Sequence, residues 1–338
     1  MSADKNEGAA RRRAARPQGA FRELGLLMFI VLLCAMFQSR NSSFLTLGNI
    51  KDLLNNTAIL GILAVGMLLT LITGGFDLSI GATIALAGMT SALTVAAFPA
   101  INPILSIIEG MLVGIIVGSV NGVLIARFNI LPIIATLGMM NIVRGVTYIA
   151  SNGAWISAYQ MSDGFKSIAT GTILGVNNLV VIAIVIFIIA WYFLNHTKTG
   201  RRLYAVGSNP EAADVSGIPR RKLVWLAYAG MGLLAGLSGV LWVSKFASAQ
   251  GDTASGYEMS VIAACVLGGA SVTGGSGKIS GLILGSILLG MLNNALPLIN
   301  VSPFWQQLIQ GIVILVAVIM NVAVKRNSQR NALRRRAI

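Results

Sequence analysis

Charged and reactive side chains are scarce in this sequence. Only 11% of its 338 residues are Asp, Glu, Lys or Arg, whereas soluble domains carry roughly a quarter. The chain has one histidine, His196, and two cysteines, Cys34 and Cys265, which both fall within apolar runs. These three residues supply neither a disulfide pattern, nor paired metal ligands, nor a nucleophile with its base. The composition therefore excludes a soluble domain and argues against an intramembrane enzyme.

Long apolar runs fill most of the chain. Each run has about 16 to 24 residues, and about 20 residues cross the hydrocarbon core as a helix. We therefore predict an all-α polytopic membrane protein with about ten transmembrane helices. The predicted spans are 24–39, 57–73, 79–98, 103–126, 132–150, 178–195, 223–245, 257–272, 279–298 and 305–324. The first run follows several arginines, as in a signal peptide, but no small-residue cleavage pattern closes it, so we interpret it as an uncleaved helix.

The charges indicate which way the chain crosses the membrane. If ten spans begin in the cytoplasm, 20 of the 25 Lys and Arg residues are cytoplasmic and 4 lie outside, with Arg144 within a span. This is the positive-inside pattern, so we expect both termini in the cytoplasm. The predicted organisation is a basic tail (1–23), a transmembrane domain (24–324) with a cytoplasmic loop (196–222), and a second basic tail (325–338). We interpret the net charge of +14 as a signal of membrane topology, and we expect lipid contact and no nucleic-acid partner.

A single carboxylate interrupts the apolar stretch L-T-L-I-T-G-G-F-D-L-S-I-G-A-T, residues 69–83. Gly74 and Gly75 are expected to break a helix there. Asp77 is then expected to accept an amide hydrogen bond as the N-cap of a helix that opens at Leu78 on the cytoplasmic side. A structural cap is one interpretation. The other places Asp77 in a gate, because broken helices with glycine-rich turns often line transport pathways.

Other polar residues lie within or near the ends of the predicted spans. Arg144 is about six residues from the outer end of its span, and Glu258 is also near an outer end. The candidates for a translocation pathway or gate are Gly74, Gly75, Asp77, Ser79, Asn121, Arg144, Glu258, Asn293 and Asn294. The predicted spans lack a series of deep acids suited to proton relay, which weighs against an ion-coupled carrier.

The cytoplasmic loop contains T-K-T-G-R-R-L-Y-A-V-G-S-N-P-E-A-A-D-V-S-G-I-P, residues 197–219. Asn209 suits an N-cap and Pro210 suits the first helical position. Glu211 and Asp214 suit the positive end of a helix, and Gly217 suits its closure. These signals predict a helix of two turns. Because so short a helix is unstable alone in water, we interpret it as a docking element that rests on other structure; a surface loop with a turn is the alternative.

Glycine spacing predicts close helix packing in two spans. The regularly spaced glycines are Gly110, Gly114, Gly118 and Gly122 in the fourth span and Gly277, Gly281 and Gly285 in the ninth. Small residues with this period allow helices to approach closely within lipid. Packing within one chain is one interpretation, and a dimer interface is the other.

No nucleotide site is predicted. The stretch V-T-G-G-S-G-K-I, residues 272–279, has Val272 and Ile279 where a phosphate-binding loop needs Gly and Ser or Thr. We therefore expect no cofactor in this chain and an energy source outside it.

Four segments resemble the permease subunits of bacterial ATP-binding-cassette importers for monosaccharides, of the ribose, xylose and rhamnose type. They are T-G-G-F-D-L-S-I-G (73–81), N-G-V-L-I-A-R-F-N-I-L-P-I-I-A-T-L-G (121–138), T-G-R-R-L-Y-A-V-G-S-N-P-E-A-A-D-V-S-G-I (199–218) and V-L-G-G-A-S-V-T-G-G-S-G (266–277). The resemblance extends over about residues 24–324. It implies a ten-helix, type II-like permease fold in the inner membrane.

The resemblance also implies partners. These are a second permease, identical or different, cytoplasmic ATPase subunits that bind ATP and Mg, and a periplasmic sugar-binding protein. It implies that N-P-E-A-A, residues 209–213, belongs to a coupling helix that rests in a groove of the ATPase. The residues assigned to coupling are Asn209, Pro210, Glu211, Ala212, Ala213, Asp214 and Gly217.

Other substrates remain open at this point. A permease of the same fold family could import branched-chain amino acids or the sugar-like signal molecule autoinducer-2. An ion-coupled secondary carrier is a further alternative, and it would require a buried acid whose neutralisation abolishes uptake.

Overall fold

The structure, a computed structural model, describes residues 18–302 and, beyond them, 304, 305, 308, 309, 311, 312, 315, 316 and 319. This part of the chain is largely helical. The α-helices are α1 (Gln18–Arg40), α2 (Leu47–Ile72), α3 (Ile80–Ala97), α4 (Pro103–Ala126), α5 (Pro132–Ser151), α6 (Asp163–Thr170), α7 (Asn178–His196), α8 (Lys198–Ser208), α9 (Pro210–Val215), α10 (Arg220–Phe246), α11 (Tyr257–Leu267) and α12 (Ile279–Leu298).

The remaining regular structure is short and lies between α5 and α7. It consists of a 3-10 turn (Ala158–Gln160) and an antiparallel hairpin of β1 (Thr172–Ile173) and β2 (Val176–Asn177), in which Ile173 is opposite Val176.

Eight helices in the described part of the chain are long and apolar enough to cross a membrane. They are α1 (from Glu23), α2, α3, α4, α5, α7, α10 and α12, and they confirm the predicted all-α polytopic class. The predicted eighth span contains the shorter apolar helix α11. The predicted tenth span, 305–324, and the basic tails 1–23 and 325–338 lie largely or wholly outside the described residues.

Local chemistry sets where the long helices begin. Asn102 precedes α4, and its Oδ1 accepts a hydrogen bond from Ile104 N at 2.9 Å, with Pro103 at the first helical position. Asn177 starts α7 in the same way, with Oδ1 2.9 Å from Leu179 N. Such caps satisfy backbone donors that the helix itself leaves unpaired.

The buried helices α2 and α10 form the centre of the bundle. α10 packs against α4, α3 and α2, while α2 also contacts α12, α7 and α11. The outer helices α1, α4, α5 and α7 expose apolar side chains such as Ile116 and Ile188. Exposed apolar faces are expected where a helix borders lipid rather than water.

The glycine stripes confirm close packing within one chain. A methyl group added to Gly114 of α4 would lie 2.8 Å from both Cα and N of Gly236 in α10. A methyl group on Gly285 of α12 would lie 2.8 Å from Gly268 N, just after α11. These faces are therefore occupied by neighbouring helices of the same molecule.

Several predicted helix boundaries are wrong. The second predicted span, 57–73, misses the first ten residues of α2, which begins at Leu47, where Thr46 Oγ1 accepts a hydrogen bond from Asn49 N. The predicted span 257–272 is helical only as far as Leu267, because the backbone of Gly268 packs against Gly281 and Gly269 has φ +97°. The third span begins at Ile80 rather than at Leu78, so Asp77 is not its N-cap.

The short helices α6 and α8 do not follow from a search for apolar runs. α8 begins where Thr197 Oγ1 accepts a hydrogen bond from Gly200 N at 2.9 Å. It is amphipathic and has 11 residues, so it is far below the length of about 20 residues that marks a membrane span.

Candidate functional site

The short helix predicted in the cytoplasmic loop is present as α9. Asn209 Oδ1 accepts a hydrogen bond from Ala212 N at 3.0 Å, and Pro210 occupies the first turn. Gly217 has φ +70° and donates to Asp214 O at 3.0 Å, which closes the helix. The six-residue helix and its capping by Asn209 and Gly217 confirm the local prediction.

α9 rests on the bundle through one side chain and exposes the rest of its surface. Ala213 is buried, whereas Glu211, Ala212 and Asp214 are exposed, and Val215 is 91% exposed. Asp214 Oδ2 lies 3.7 Å from Arg220 Nη1 at the start of α10. An exposed valine beside two carboxylates gives α9 both apolar and charged groups that a partner surface could contact.

α8 connects α9 to a glycine-rich loop of the bundle. Tyr204 Oη donates to Gly277 O at 2.8 Å, and Ser208 Oγ donates to Gly275 O at 3.4 Å. Burial raises the pKa of the Tyr204 phenol above its ordinary value, which extends the pH range in which the hydroxyl is a donor. The end of α8 is thus hydrogen-bonded to the loop that precedes α12.

A third segment, the end of α2, meets the same point. Gly275 N donates to Ile72 O at 2.9 Å, and a methyl group on Gly207 would overlap Ile72 O and lie 2.7 Å from Gly275 N. A methyl group on Gly274 would lie 3.0 Å from Gly74 Cα. We refer to Gly74, Gly207, Gly274 and Gly275 as the glycine junction.

A cavity of 460 Å³ lies between this region and the start of α10. Its lining includes Gly74 and Gly75 from the α2–α3 loop, Asp214 from α9, and Arg220 and Tyr228 from α10. The cavity therefore brings the α2–α3 loop and α9 to one open space.

Asp77 lies in the α2–α3 loop and is 2% exposed, although the sequence predicted a cytoplasmic helix start. Its Oδ1 accepts hydrogen bonds from Ser79 N at 2.8 Å and Ser79 Oγ at 2.6 Å. Asn121 of α4 donates from Nδ2 to Ser79 Oγ at 2.9 Å and, more weakly, to Asp77 Oδ2 at 3.4 Å. Asp77 therefore holds the turn before α3 and joins it to α4.

Asn121 leaves part of this polar cluster unpaired. Asn121 is fully buried, and its Oδ1 has no hydrogen-bond partner within the described part of the chain. Nearby, Tyr228 Oη donates to Phe76 O at 3.3 Å, and Gly75 leaves space for that hydroxyl. The structure thus brings together four of the predicted candidates, Gly75, Asp77, Ser79 and Asn121.

Arg144 and Glu258 form a second polar region, where the connection between α10 and α11 meets α5 and α3. Arg144 Nη1 donates to Gly251 O at 2.8 Å and to Thr253 O at 2.9 Å, in the connection between α10 and α11. A methyl group on Gly81 would lie 2.8 Å from Glu258 Oε2. Glu258 therefore packs against the first turn of α3, and Arg144 fixes the backbone next to it.

The remaining candidates lie apart from both regions. Asn294 is four residues from the end of α12 and exchanges hydrogen bonds with Asn49 of α2, with Nδ2 to Oδ1 distances of 2.9 Å in both directions. Asn293 is its neighbour on α12. The pair of Asn49 and Asn294 joins the outer ends of α2 and α12.

The sequence analysis did not single out three residues that the structure places at these sites. They are Tyr204, Gly207 and Tyr228. Tyr204 and Gly207 lie on the amphipathic face of α8, a pattern present in the sequence, whereas Tyr228 lies in an apolar helix where only the fold brings it to Phe76.

The chain is similar to known membrane transport proteins. A family model described as the permease component of branched-chain amino acid transport systems matches residues 49–318. The ribose import permease of Escherichia coli strain K12 is 38% identical over 297 residues, which cover 87% of this chain and 92% of that protein. No solved structure matches the chain.

Two further relatives have similar coverage. The ribose import permease of Bacillus subtilis strain 168 is 40% identical over 303 residues, 90% of this chain and 94% of that protein. An L-arabinose ABC transporter permease of Azospirillum brasilense is 36% identical over 324 residues, 95% of this chain and 94% of that protein.

Proposed function

The chain belongs to the family of permease components of branched-chain amino acid transport systems, and from this membership we propose that it is the permease subunit of an ATP-driven monosaccharide importer. It is a multi-pass protein of the bacterial inner membrane and a transport component. In the proposed system a periplasmic binding protein delivers the sugar, and a separate cytoplasmic subunit hydrolyses ATP with Mg.

The choice of a sugar over an amino acid rests on the relatives. Proteins named as ribose and L-arabinose permeases are 36% to 40% identical over 87% to 95% of this chain. The family description refers to branched-chain amino acids, but the named relatives that cover nearly the full length carry pentoses. Autoinducer-2, a sugar-like ligand, remains an alternative within the same proposal.

The observation that carries the coupling role is the exposure of α9. A helix of six residues is not stable by itself in water. α9 buries only Ala213 against its own chain, so that chain provides it with little support. We propose that the ATPase supplies the missing contact through Glu211, Asp214 and Val215. Asn209, Pro210, Ala212 and Gly217 then keep the helix in its docked geometry.

The contacts around α8 suggest how ATP-driven movement reaches the membrane helices. A displacement of α9 would move the end of α8, which is hydrogen-bonded to Gly275 and Gly277 and packed against Ile72. The α2–α3 loop with Gly74, Gly75 and the Asp77 cluster would move with it. We propose that this loop acts as the inner gate beside a path formed with a second permease, identical or different.

Charge reversal on α9 tests the coupling role. Glu211→Lys is expected to abolish co-purification of the ATPase, because the exposed acid at the helix start becomes a cation, which is also unfavourable at that end of a helix dipole. The chain would be purified with its partners in mild detergent, and ATPase turnover would be measured with sugar-loaded binding protein. Membrane insertion should be unchanged.

Lys198→Glu is the matched control, since it reverses an exposed charge at the start of α8, outside α9. It should retain the ATPase. Normal sugar-stimulated turnover in Glu211→Lys would remove the coupling assignment and leave α9 a surface turn.

One observation is compatible with the alternative function of an ion-coupled carrier. Asp77 is buried, as a coupling acid would be. If the chain alone catalysed proton- or sodium-driven uptake in vesicles, and Asp77→Asn abolished it, the ATP-driven proposal would be replaced by that reading.

A further inference from the structure

The helix bundle contains a break between α10 and α11. α10 ends at Phe246 and α11 begins at Tyr257. α11 has only 11 residues, about 16 Å at 1.5 Å per residue, whereas the hydrocarbon core is about 30 Å thick. Residues 247–256 are not helical, and we call them the interruption. They therefore occupy part of the membrane thickness that a full-length helix would otherwise cross.

Contacts with two helices place the interruption inside the bundle. Arg144, which binds Gly251 O and Thr253 O, lies twelve residues after Pro132 and seven before Ser151 in α5. These separations correspond to about 18 Å and about 10 Å along the helix axis. On the other side, a methyl group on Gly81 in α3 would lie 2.6 Å from Ala254 O.

The start of the interruption is anchored in the buried core next to α5, where Ile156 and Ala249 are 5% and 1% exposed. Ala249 and Ile156 exchange backbone hydrogen bonds at 2.9 and 3.0 Å, just beyond the end of α5. From there the chain continues to Ala254, which has φ +56°, and Gly256, with φ +79°. Left-handed backbone at a non-glycine residue is uncommon and is retained where the surrounding structure fixes it.

At this depth the interruption exposes polar side chains on the surface of the helix bundle. Asp252 and Ser255 are exposed and Glu258, in the first turn of α11, is partly exposed. The Arg144 guanidinium lies within electrostatic range of both carboxylates. In α5, which holds Arg144, Asn141 is exposed and Gly145 has open space around it.

Such a surface is incompatible with lipid. Irregular backbone at membrane depth occurs only where protein buries it or where it lines a water-filled cavity. Ionisable side chains at such depth face one another or an aqueous path. The exposed face of the interruption must therefore border an aqueous route or a second subunit that encloses one.

The polar groups suit a neutral polyhydroxylated ligand. Two carboxylates accept hydrogen bonds from hydroxyl groups, Ser255 both donates and accepts, and Asn141 provides an amide. Two acids and one arginine give a net negative charge, which disfavours an anionic ligand. Broken helices are also where substrate sites occur in other membrane transporters.

We propose that Asp252, Ser255 and Glu258 form a hydroxyl-binding site for the sugar on its way through the membrane, with Arg144 as the positioning residue that fixes the backbone of the interruption through Gly251 O and Thr253 O. This inference rests on the proposed function. It assigns to the permease itself a contact with the substrate, in addition to recognition by the binding protein.

Transport stoichiometry tests the site. Glu258→Gln and Asp252→Asn would be placed in the complete complex in proteoliposomes, and uptake of D-ribose and L-arabinose would be measured per ATP hydrolysed. Because the amide still accepts, each variant replaces a charge-assisted hydrogen bond by a weaker neutral one, which should lower uptake per ATP by about tenfold, with ATPase stimulation by loaded binding protein retained. Asp163→Asn, an exposed acid paired with Lys166 at 2.8 Å on the outer side, should match the wild type.

The outcomes separate this inference from the proposed function. If the wild-type complex imports sugar and both variants keep its ratio of uptake to ATP, the hydroxyl site is wrong while the importer stands. If the wild-type complex neither binds an ATPase nor imports either sugar, the proposed function itself fails.

Thiol labelling tests water access without relying on transport. Ser255→Cys should react with a charged, membrane-impermeant methanethiosulfonate reagent in the assembled complex, and D-ribose with its binding protein should slow the reaction. Ile188→Cys, on the exposed apolar face of α7, should not react, and the parent chain gives the background from Cys34 and Cys265. An unreactive Ser255→Cys would overturn the inference.

Discussion

The sequence was sufficient to select Asp77 as a candidate residue, but it did not predict the surroundings of its side chain. The sequence singled out the carboxylate and its glycine neighbours, and the structure confirms that the helix breaks there. The prediction of an N-cap was wrong because Asp77 bonds to Ser79 within a turn before α3. Its burial depends on Asn121 and Tyr228, which are more than 40 residues away in sequence, and no local pattern encodes that approach.

Substitution of Asp77 should separate its charge from its hydrogen bonds. In Asp77→Asn the side-chain carbonyl oxygen can still accept from Ser79 N. The new NH2 group, however, replaces the carboxylate oxygen that faces Asn121 Nδ2, so two donors would face each other. We expect a loss of about 1–3 kcal/mol in stability and reduced uptake, with Asp77→Ala worse in both. Thermal unfolding midpoints and uptake would be compared. Wild-type values for Asp77→Asn would reduce Asp77 to a turn residue whose charge is dispensable.

Tyr204 provides a second test at the residue scale, at the glycine junction. Tyr204→Phe removes the donor to Gly277 O and leaves that carbonyl without this bond, at a cost of about 1 kcal/mol. We expect more ATP hydrolysed per sugar imported, because α8 would be held less firmly to the loop before α12. Tyr192→Phe, on an exposed tyrosine of α7, is the control. Equal coupling ratios in both variants would remove Tyr204 from the proposed transmission.

Among the helices, prediction succeeded where a long apolar run was sufficient. The eight long spans and α9 followed from hydropathy and capping residues. The end of α11 did not, because residues 268–272 remain apolar or small while Gly268 must leave the helix to pack on Gly281. The interruption was not predicted either, because in the sequence Asp252 belongs to an ordinary outer loop. Only the contacts of this loop with Arg144 and Gly81 show that it lies deep in the bundle.

The contact between α4 and α10 can be tested by one added methyl group. Gly114→Ala should separate the two helices, because its Cβ would lie 2.8 Å from the backbone of Gly236. Overpacking of this kind costs about 1–3 kcal/mol, so we expect a lower unfolding midpoint in detergent. Gly25→Ala on α1, where a methyl group meets nothing within 4 Å, should be neutral or slightly stabilising. Equal midpoints would mean that the bundle relaxes without cost.

At the scale of the whole molecule, the proposals require one orientation. α9, the glycine junction and the cavity must face the cytoplasm, where ATP is available, while α6 and the interruption face outward. The positive-inside pattern predicts this arrangement from 20 cytoplasmic and 4 outer basic residues. The fold is consistent with it, because α9 and the connection between α5 and α7 lie at opposite ends of α7, with α8 directly after its last residue.

Two engineered cysteines would test that orientation in a single experiment. Val215→Cys on α9 and Tyr159→Cys between α5 and α7 are matched, since their side chains are 91% and 89% exposed. In right-side-out vesicles an impermeant maleimide should label Tyr159→Cys at once and Val215→Cys only after permeabilisation. The opposite pattern would put α9 outside, where no ATPase can reach it, and both the coupling assignment and the direction of transport would have to be abandoned together.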